Sequence, residues 1–199
     1  FFMNYLPSHV QIETVNRYCD ARCPMCTIKF VPDWSPDTED NESFKGISRK
    51  AEVMTLDTFK AIASKFRPYV SKIDILSLHG CGEPLLDKSL SEKVAFAKKV
   101  GFKQIGFTSN CNALTNKTAE SLLNAGLNCI IPSIDGITKE VHETIRPRTD
   151  FKKTIENVKY FISYRDKHDF NCKVLIRMIK QQLNYRQWED YKSFWGKLL

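Results

Sequence analysis

Ile73-Asp74-Ile75-Leu76-Ser77-Leu78-His79-Gly80-Cys81-Gly82-Glu83-Pro84 is a short apolar run that ends in a turn of small and polar residues. A run of this length bounded by turn residues reads as a buried strand. Upstream, Leu56, Phe59, Ile62, Ala63, Phe66 and Val70 recur at spacings of three and four, the signature of one helix face. Downstream, Leu90, Val94, Ala97 and Val100 do the same, and Gly101 offers a left-handed stop. The pattern repeats toward the C-terminus: strand 104–109, helix 115–125 closed by Gly126, strand 128–134, a break at Asp135-Gly136, a helix through Phe151, Ile155, Val158 and Ile162, strand 173–179 and helix 185–197. Toward the N-terminus, Val10 to Val15 alternates in and out and reads as a first strand.

That makes five strand-helix units, which predicts an α/β fold with a parallel sheet and helices packed outside it. An open doubly wound sheet and a barrel both place ligands at the carboxyl ends of the strands. Five units are too few for a closed eight-stranded barrel of about 250 residues, so the expectation is a partial, TIM-like barrel.

The composition fits one folded domain: 199 residues, 42% hydrophobic and 27% charged. A chain of this length buries enough surface to fold without disulfides or a structural metal, so a metal site would be there for chemistry. No stretch has the roughly 18 apolar residues of a membrane span, and the opening Phe1-Phe2-Met3-Asn4 lacks the zones of a signal peptide; a cytoplasmic protein is expected. The net charge is +7, and five acids stand without a base between Asp33 and Ser43, so the positive excess elsewhere exceeds the total. This balance suits an acidic substrate. No basic block is interleaved with aromatics, so nucleic acid is not the expected partner.

Residues 27–53 read as one long acidic loop, with turn signals at Pro32, Pro36 and Gly46. Trp34 in that loop is a candidate lid residue or an ordinary loop aromatic. Trp188, Tyr191 and Trp195 fall at helical spacing and read as core contacts.

The seven cysteines, an odd number, argue against a disulfide framework. Cys129 and Cys172 read as buried free thiols. Cys19, Cys23 and Cys26 are different, because the spacing C-x3-C-x2-C crowds three soft donors onto the loop after the first strand. A closed zinc site needs a fourth ligand, and none lies at finger-like spacing. An iron-sulfur cluster held by three thiolates would leave one iron open. Zinc, a cluster and inert thiols all remain readings of the spacing alone.

The other strand ends carry Gly80-Cys81-Gly82-Glu83-Pro84, Thr108-Ser109-Asn110, Ser133-Ile134-Asp135-Gly136 and Arg177-Met178. Each alone is ordinary turn chemistry. Together they fall at one end of one sheet, facing the cysteine loop. His79 beside the glycines is either a substrate contact or a satisfied strand-end histidine.

In these residues the chain resembles the radical S-adenosylmethionine enzymes, most closely the SPASM-type branch that matures peptides and cofactors. Cys19, Cys23 and Cys26 match that family's cluster motif, with its Cys-Pro-Met-Cys ending. Gly80-Cys81-Gly82-Glu83-Pro84 resembles its Gly-Gly-Glu motif, with Cys81 in place of the first glycine. Thr108-Ser109-Asn110 is similar to the segment after its third strand, and Ser133-Ile134-Asp135-Gly136 to its fourth-strand motif. Arg146 falls where many members carry Ile-Arg.

The resemblance implies a partial (β/α)6 barrel spanning 1–199, truncated after about five of its six units, with a C-terminal region missing. It implies Cys19, Cys23 and Cys26 as ligands of a [4Fe-4S] cluster, and Gly80, Cys81, Gly82, Glu83, Ser109, Asn110, Ser133, Asp135 and Arg146 as contacts to S-adenosylmethionine. One electron from the cluster would then cleave the cofactor to methionine and a 5′-deoxyadenosyl radical, which takes a hydrogen atom from a peptide or small-molecule substrate. An electron donor such as flavodoxin or ferredoxin follows from the same resemblance. A non-catalytic iron-sulfur or zinc electron-transfer domain on this fold is the alternative.

Overall fold

The computed structural model describes residues 6–26 and 51–199. Its centre is a five-stranded parallel sheet of β1 (His9–Gln11), β4 (Ile75–Ser77), β5 (Gln104–Ser109), β6 (Cys129–Pro132) and β7 (Lys173–Val174), paired in that order. A doubly wound sheet reverses its strand order at a switch point. Here the order never reverses, and right-handed crossovers running one way put every helix on the same face. The sheet is therefore part of a barrel wall.

Strand alternation divides the two faces. Val10, Leu76, Ile105, Phe107, Ile130 and Val174 point into the helix layer and are buried. Their neighbours His9, Gln11, Ile75 and Leu175 point to the concave side and are exposed. The helix layer meets the sheet through Phe59 and Ala63 of α1 (Leu56–Ser64), Val94 and Ala97 of α2 (Leu90–Val100), Leu122 of α3 (Asn116–Asn124), Val158 and Phe161 of α5 (Phe151–Lys167) and Trp195 of α6 (Trp188–Gly196). The side chain of Thr55 accepts from the Thr58 amide to start α1, and Thr115 and Asp150 cap α3 and α5 in the same way. Gly101, at φ 115°, and Gly126, at φ 91°, close the turns after α2 and α3 in left-handed geometry.

Four sequence expectations change. The Val10–Val15 run splits: after β1 the chain leaves the main sheet, and β2 (Val15–Asn16) pairs antiparallel with β3 (Glu52–Val53). The 27–53 segment thus ends in a strand, while its residues 27–50, Trp34 included, lie outside the described residues. The first helix stops at Ser64 instead of reaching Val70, because Pro68 has no N–H to continue it and enters a 3-10 turn over Arg67–Lys72. Between β6 and α5 lies an unforeseen helix, α4 (Lys139–Ile145), capped by Thr138.

Trp195 and Tyr191 are buried as expected, and Trp188 packs beside them. Cys172 is buried, whereas Cys129 is only half-buried.

Candidate active site

The carboxyl ends of the parallel strands surround a cleft of about 300 Å³. The cysteine loop enters it under backbone control. The Arg17 amide donates to the Cys81 carbonyl (2.9 Å), and the Glu83 amide donates to the Tyr18 carbonyl (2.8 Å), so the loop is stitched to the turn after β4. This stitching requires Gly82, since a Cβ there would strike the Val15 carbonyl. The Arg22 amide donates to the Pro147 carbonyl (2.9 Å), fastening the far side of the loop behind α4.

Cys19, Cys23 and Cys26 all line the cleft. Burial pushes the Cys19 thiol up to about 12, with the Glu83 charge adding to the effect. Burial also raises Cys23, against the pull of the Arg146 guanidinium, whose Nη1 donates to Cys23 Sγ at 3.5 Å. Both thiols therefore stay protonated until a metal displaces the proton. Among the described residues no three His, Cys, Asp or Glu side chains converge as a single-ion site. Three soft thiolate donors are the protein ligand set of a cluster that keeps one iron open. The donor set of three thiolates on one wall fits a [4Fe-4S] cluster.

Glu83 is buried at the floor of the cleft, 3% exposed. Its Oε1 accepts from Ser109 Oγ (2.7 Å) and the Leu85 amide (3.1 Å), and its Oε2 accepts from the Asn110 amide (2.9 Å). Burial lifts its pKa to about 7 against those three hydrogen bonds. Such a carboxylate is held in one orientation and gains from a cationic partner.

Gly80, Cys81, Gly82, Ser109, Asn110, Ser133 and Arg146 line the same cleft, so of the residues expected to hold the cluster or the cofactor the structure places all but Asp135 around it. Asp135 is fully buried and outside the cleft lining. Its Oδ2 lies 2.7 Å from Arg146 Nε and its Oδ1 accepts from the Ile179 amide at 2.7 Å. In this arrangement Asp135 meets the cleft through Arg146.

Three contributors escaped the sequence reading. Asp20 accepts from Asn110 Nδ2 and Asn112 Nδ2, both at 2.7 Å, and so ties the cysteine loop to the end of β5. Glu13 accepts from the Cys81 amide. Arg177, noted only as a strand end, lines the cleft with its Nη2 donating to Ser133 Oγ at 3.0 Å.

Comparison with known proteins agrees with this geometry. The sequence model of the Radical SAM superfamily matches residues 14–186. The chain belongs to that superfamily. Its cofactors are accordingly a [4Fe-4S] cluster and S-adenosylmethionine. It is similar to the GTP 3′,8-cyclase of Staphylococcus haemolyticus, 30% identical over 153 residues, covering 75% of this chain and 41% of that protein. A probable GTP 3′,8-cyclase of Methanocaldococcus jannaschii is 36% identical over 78 residues, covering 39% of this chain and 26% of its own length. The radical SAM chain thus spans less than half the length of these relatives. Among solved structures, Streptococcus suis SuiB bound to precursor peptide SuiA superposes with a TM-score of 0.68 at 16% identity, over 95% of this chain and 36% of SuiB. BtrN in complex with AdoMet and 2-DOIA superposes at 0.60 and 19% identity, over 88% of this chain and 58% of BtrN. These likenesses show the fold.

Proposed function

We propose that this radical SAM chain is the cofactor-binding core of an enzyme that cleaves S-adenosylmethionine reductively to activate a peptide or small-molecule substrate. The carrying observation is the meeting, in one cleft, of three loop thiols and a buried, pre-oriented carboxylate. When bound, the cluster and S-adenosylmethionine supply a 5′-deoxyadenosyl radical that takes a hydrogen atom from the substrate.

The protein supplies placement. Cys19, Cys23 and Cys26 hold the cluster. Glu83 receives the methionyl ammonium, its oxygens already aimed by Ser109, Asn110 and Leu85, so no reorganisation is needed on binding. Gly80 and Gly82 let the turn pack against Glu13 and the Val15 backbone, which places Cys81 and Glu83 in the cleft lining. Arg146, held by Asp135, presents its guanidinium to the thiol side of the cleft, and Ser133 offers a hydroxyl on the opposite side. The precursor peptide bound by SuiB supports a peptide substrate. The positive charge of the chain favours a small acidic electron carrier such as flavodoxin or ferredoxin. No helix among the described residues is long and apolar enough to cross a membrane.

The test is anaerobic reconstitution followed by iron and sulfide analysis and electron paramagnetic resonance of the reduced cluster. About four irons per chain and a spectrum that changes on adding S-adenosylmethionine are expected. Zinc uptake in place of iron, or a spectrum indifferent to the cofactor, refutes the proposal in favour of a non-catalytic metal domain. Glu83→Ala should weaken cofactor binding while leaving iron content alone.

A further inference from the structure

Two guanidinium groups line the cleft, and they differ in their partners. Arg146 has the Asp135 carboxylate at 2.7 Å and Cys23 Sγ at 3.5 Å. Arg177 has only the Ser133 hydroxyl at 3.0 Å, and among the described residues no carboxylate lies within ion-pairing distance of it. Its backbone is fixed on both sides: its amide donates to the Pro132 carbonyl (2.8 Å), and the Ile134 amide donates to its carbonyl (2.9 Å). His79 lines the same cleft, and its Nδ1 is buried without a hydrogen-bond partner. Burial and the nearby Arg177 both lower the His79 pKa, so the imidazole is neutral. Of the carboxylates near this turn, Glu13 accepts from the Cys81 amide and Glu83 from Ser109, Asn110 and Leu85. Two residues along the strand on either side of Arg177, Leu175 and Ile179 are exposed apolar side chains.

A guanidinium on fixed backbone without a counter-charge, sharing a cleft with an imidazole whose Nδ1 lacks a partner and bordered by open apolar surface, is a receptor for an anionic group. We propose that Arg177 and His79, with Ser133 Oγ steadying the guanidinium, form a subsite that binds a carboxylate or phosphate of the substrate. The subsite rests on the function proposed above. The cofactor's own carboxylate is the other possible source of the anion. The two sources differ in whether S-adenosylmethionine competes with the anion for Arg177, which lines the same cleft as Arg146.

The test uses reconstituted protein saturated with S-adenosylmethionine and titrated calorimetrically with inorganic phosphate and with succinate. Arg177→Gln should weaken anion binding at least tenfold, Arg177→Lys less than tenfold, and His79→Ala a few-fold. Lys117→Gln, on the exposed surface of α3, should change nothing. Cofactor affinity should fall by less than anion binding does in Arg177→Gln, since the Arg177 guanidinium meets the cofactor contact Ser133 only through its hydroxyl. Equal anion binding in wild type and Arg177→Gln overturns the subsite, as does an equal loss in Lys117→Gln. Displacement of phosphate by S-adenosylmethionine, or a matching loss of cofactor affinity in Arg177→Gln, assigns the anion to the cofactor and also overturns it. Phosphate binding through Arg177 in a chain that takes up no S-adenosylmethionine overturns the proposed function and leaves the subsite standing.

Discussion

Replacing Glu83 by Gln should change how stability depends on pH in the metal-free protein. The folded-state pKa of Glu83 is raised from 4.5 to about 7, with burial the dominant cause. Between those values the folded chain holds a proton that the unfolded chain has released, so stability falls as pH rises. The contribution is intact below the unfolded pKa of 4.5 and lost above about 7; a shift of this size is worth about 3 kcal/mol. His142 acts in the opposite sense. Burial, with Arg146 adding, lowers its pKa from 6.5 to about 4, so its contribution grows as pH rises through that window. The two nearly cancel in the wild type. Urea unfolding with reduced cysteines and a chelator, at intervals from pH 4.5 to 8, separates them. Relative to Glu83→Gln, the wild type should lose about 3 kcal/mol across the range, a relative midpoint shift of roughly 1.5 M urea. The amide faces the Asn110 N–H at every pH, so its cost is a constant offset and the slope is the readout. Parallel pH profiles for the two proteins would refute the burial of an ionisable Glu83.

Cofactor binding should depend on pH in the reverse direction. The ammonium of S-adenosylmethionine selects the ionised carboxylate, so affinity measured on the reconstituted protein should fall about tenfold per pH unit below about 7, and Glu83→Gln should abolish that dependence. Lys93 is fully buried, donating to Asp87 and to the Met54 carbonyl. Lys93→Met should cost about 3–5 kcal/mol in urea unfolding by stranding the Asp87 charge. Gly82→Ala drives a methyl group against the Val15 backbone and should cost about 1–3 kcal/mol together with reduced iron incorporation after reconstitution. Asp20→Ala removes two acceptor bonds to Asn110 and Asn112; calorimetry should show a modest loss of about 1.5–3 kcal/mol, and iron analysis a weaker hold on the cluster.

Elements whose signals are local were legible in the sequence. β5 occupies Gln104–Ser109 as read, and α2 runs from Leu90 to Val100 with Gly101 closing it, because burial period and cap lie in one short window. What was missed depends on distant partners. β2 and β3 are two residues each and exist only through their pairing with one another. α4 has a weak apolar stripe, since one of its two buried positions is His142, whose Nδ1 accepts from the Asp135 amide at 3.2 Å. Beyond Val174 the chain still bonds the end of β6 through the Leu175 and Arg177 amides, and this pairing stops where the Ile179 amide is taken by the Asp135 side chain. The same distinction governs the site. The cysteine spacing announces itself, but Asp20 acts on Asn112, 92 residues away, and Glu13 on Cys81, 68 residues away. Neither pairing leaves a trace in local composition.

Backbone strain is concentrated where the chemistry is placed. Among the described residues, four other than glycine adopt positive φ: Arg17 at 65°, Cys111 at 59°, Arg148 at 72° and Asp169 at 54°. The first three stand two residues before Cys19, one after Asn110 and two after Arg146. Each costs of order 1 kcal/mol or more. The surrounding bonds hold them: the Arg17 amide to Cys81, the Cys111 amide to Ser109 Oγ at 2.8 Å, and the Thr149 hydroxyl to the Arg146 carbonyl at 2.7 Å. The same cleft is lined by the buried Glu83 carboxylate and by His79 with its unpartnered Nδ1, two further unfavourable groups. A fold selected for stability alone would relieve these costs with glycine at the turns and an apolar residue at Glu83. Their gathering around one cleft is what a site pre-organised for a charged cofactor requires.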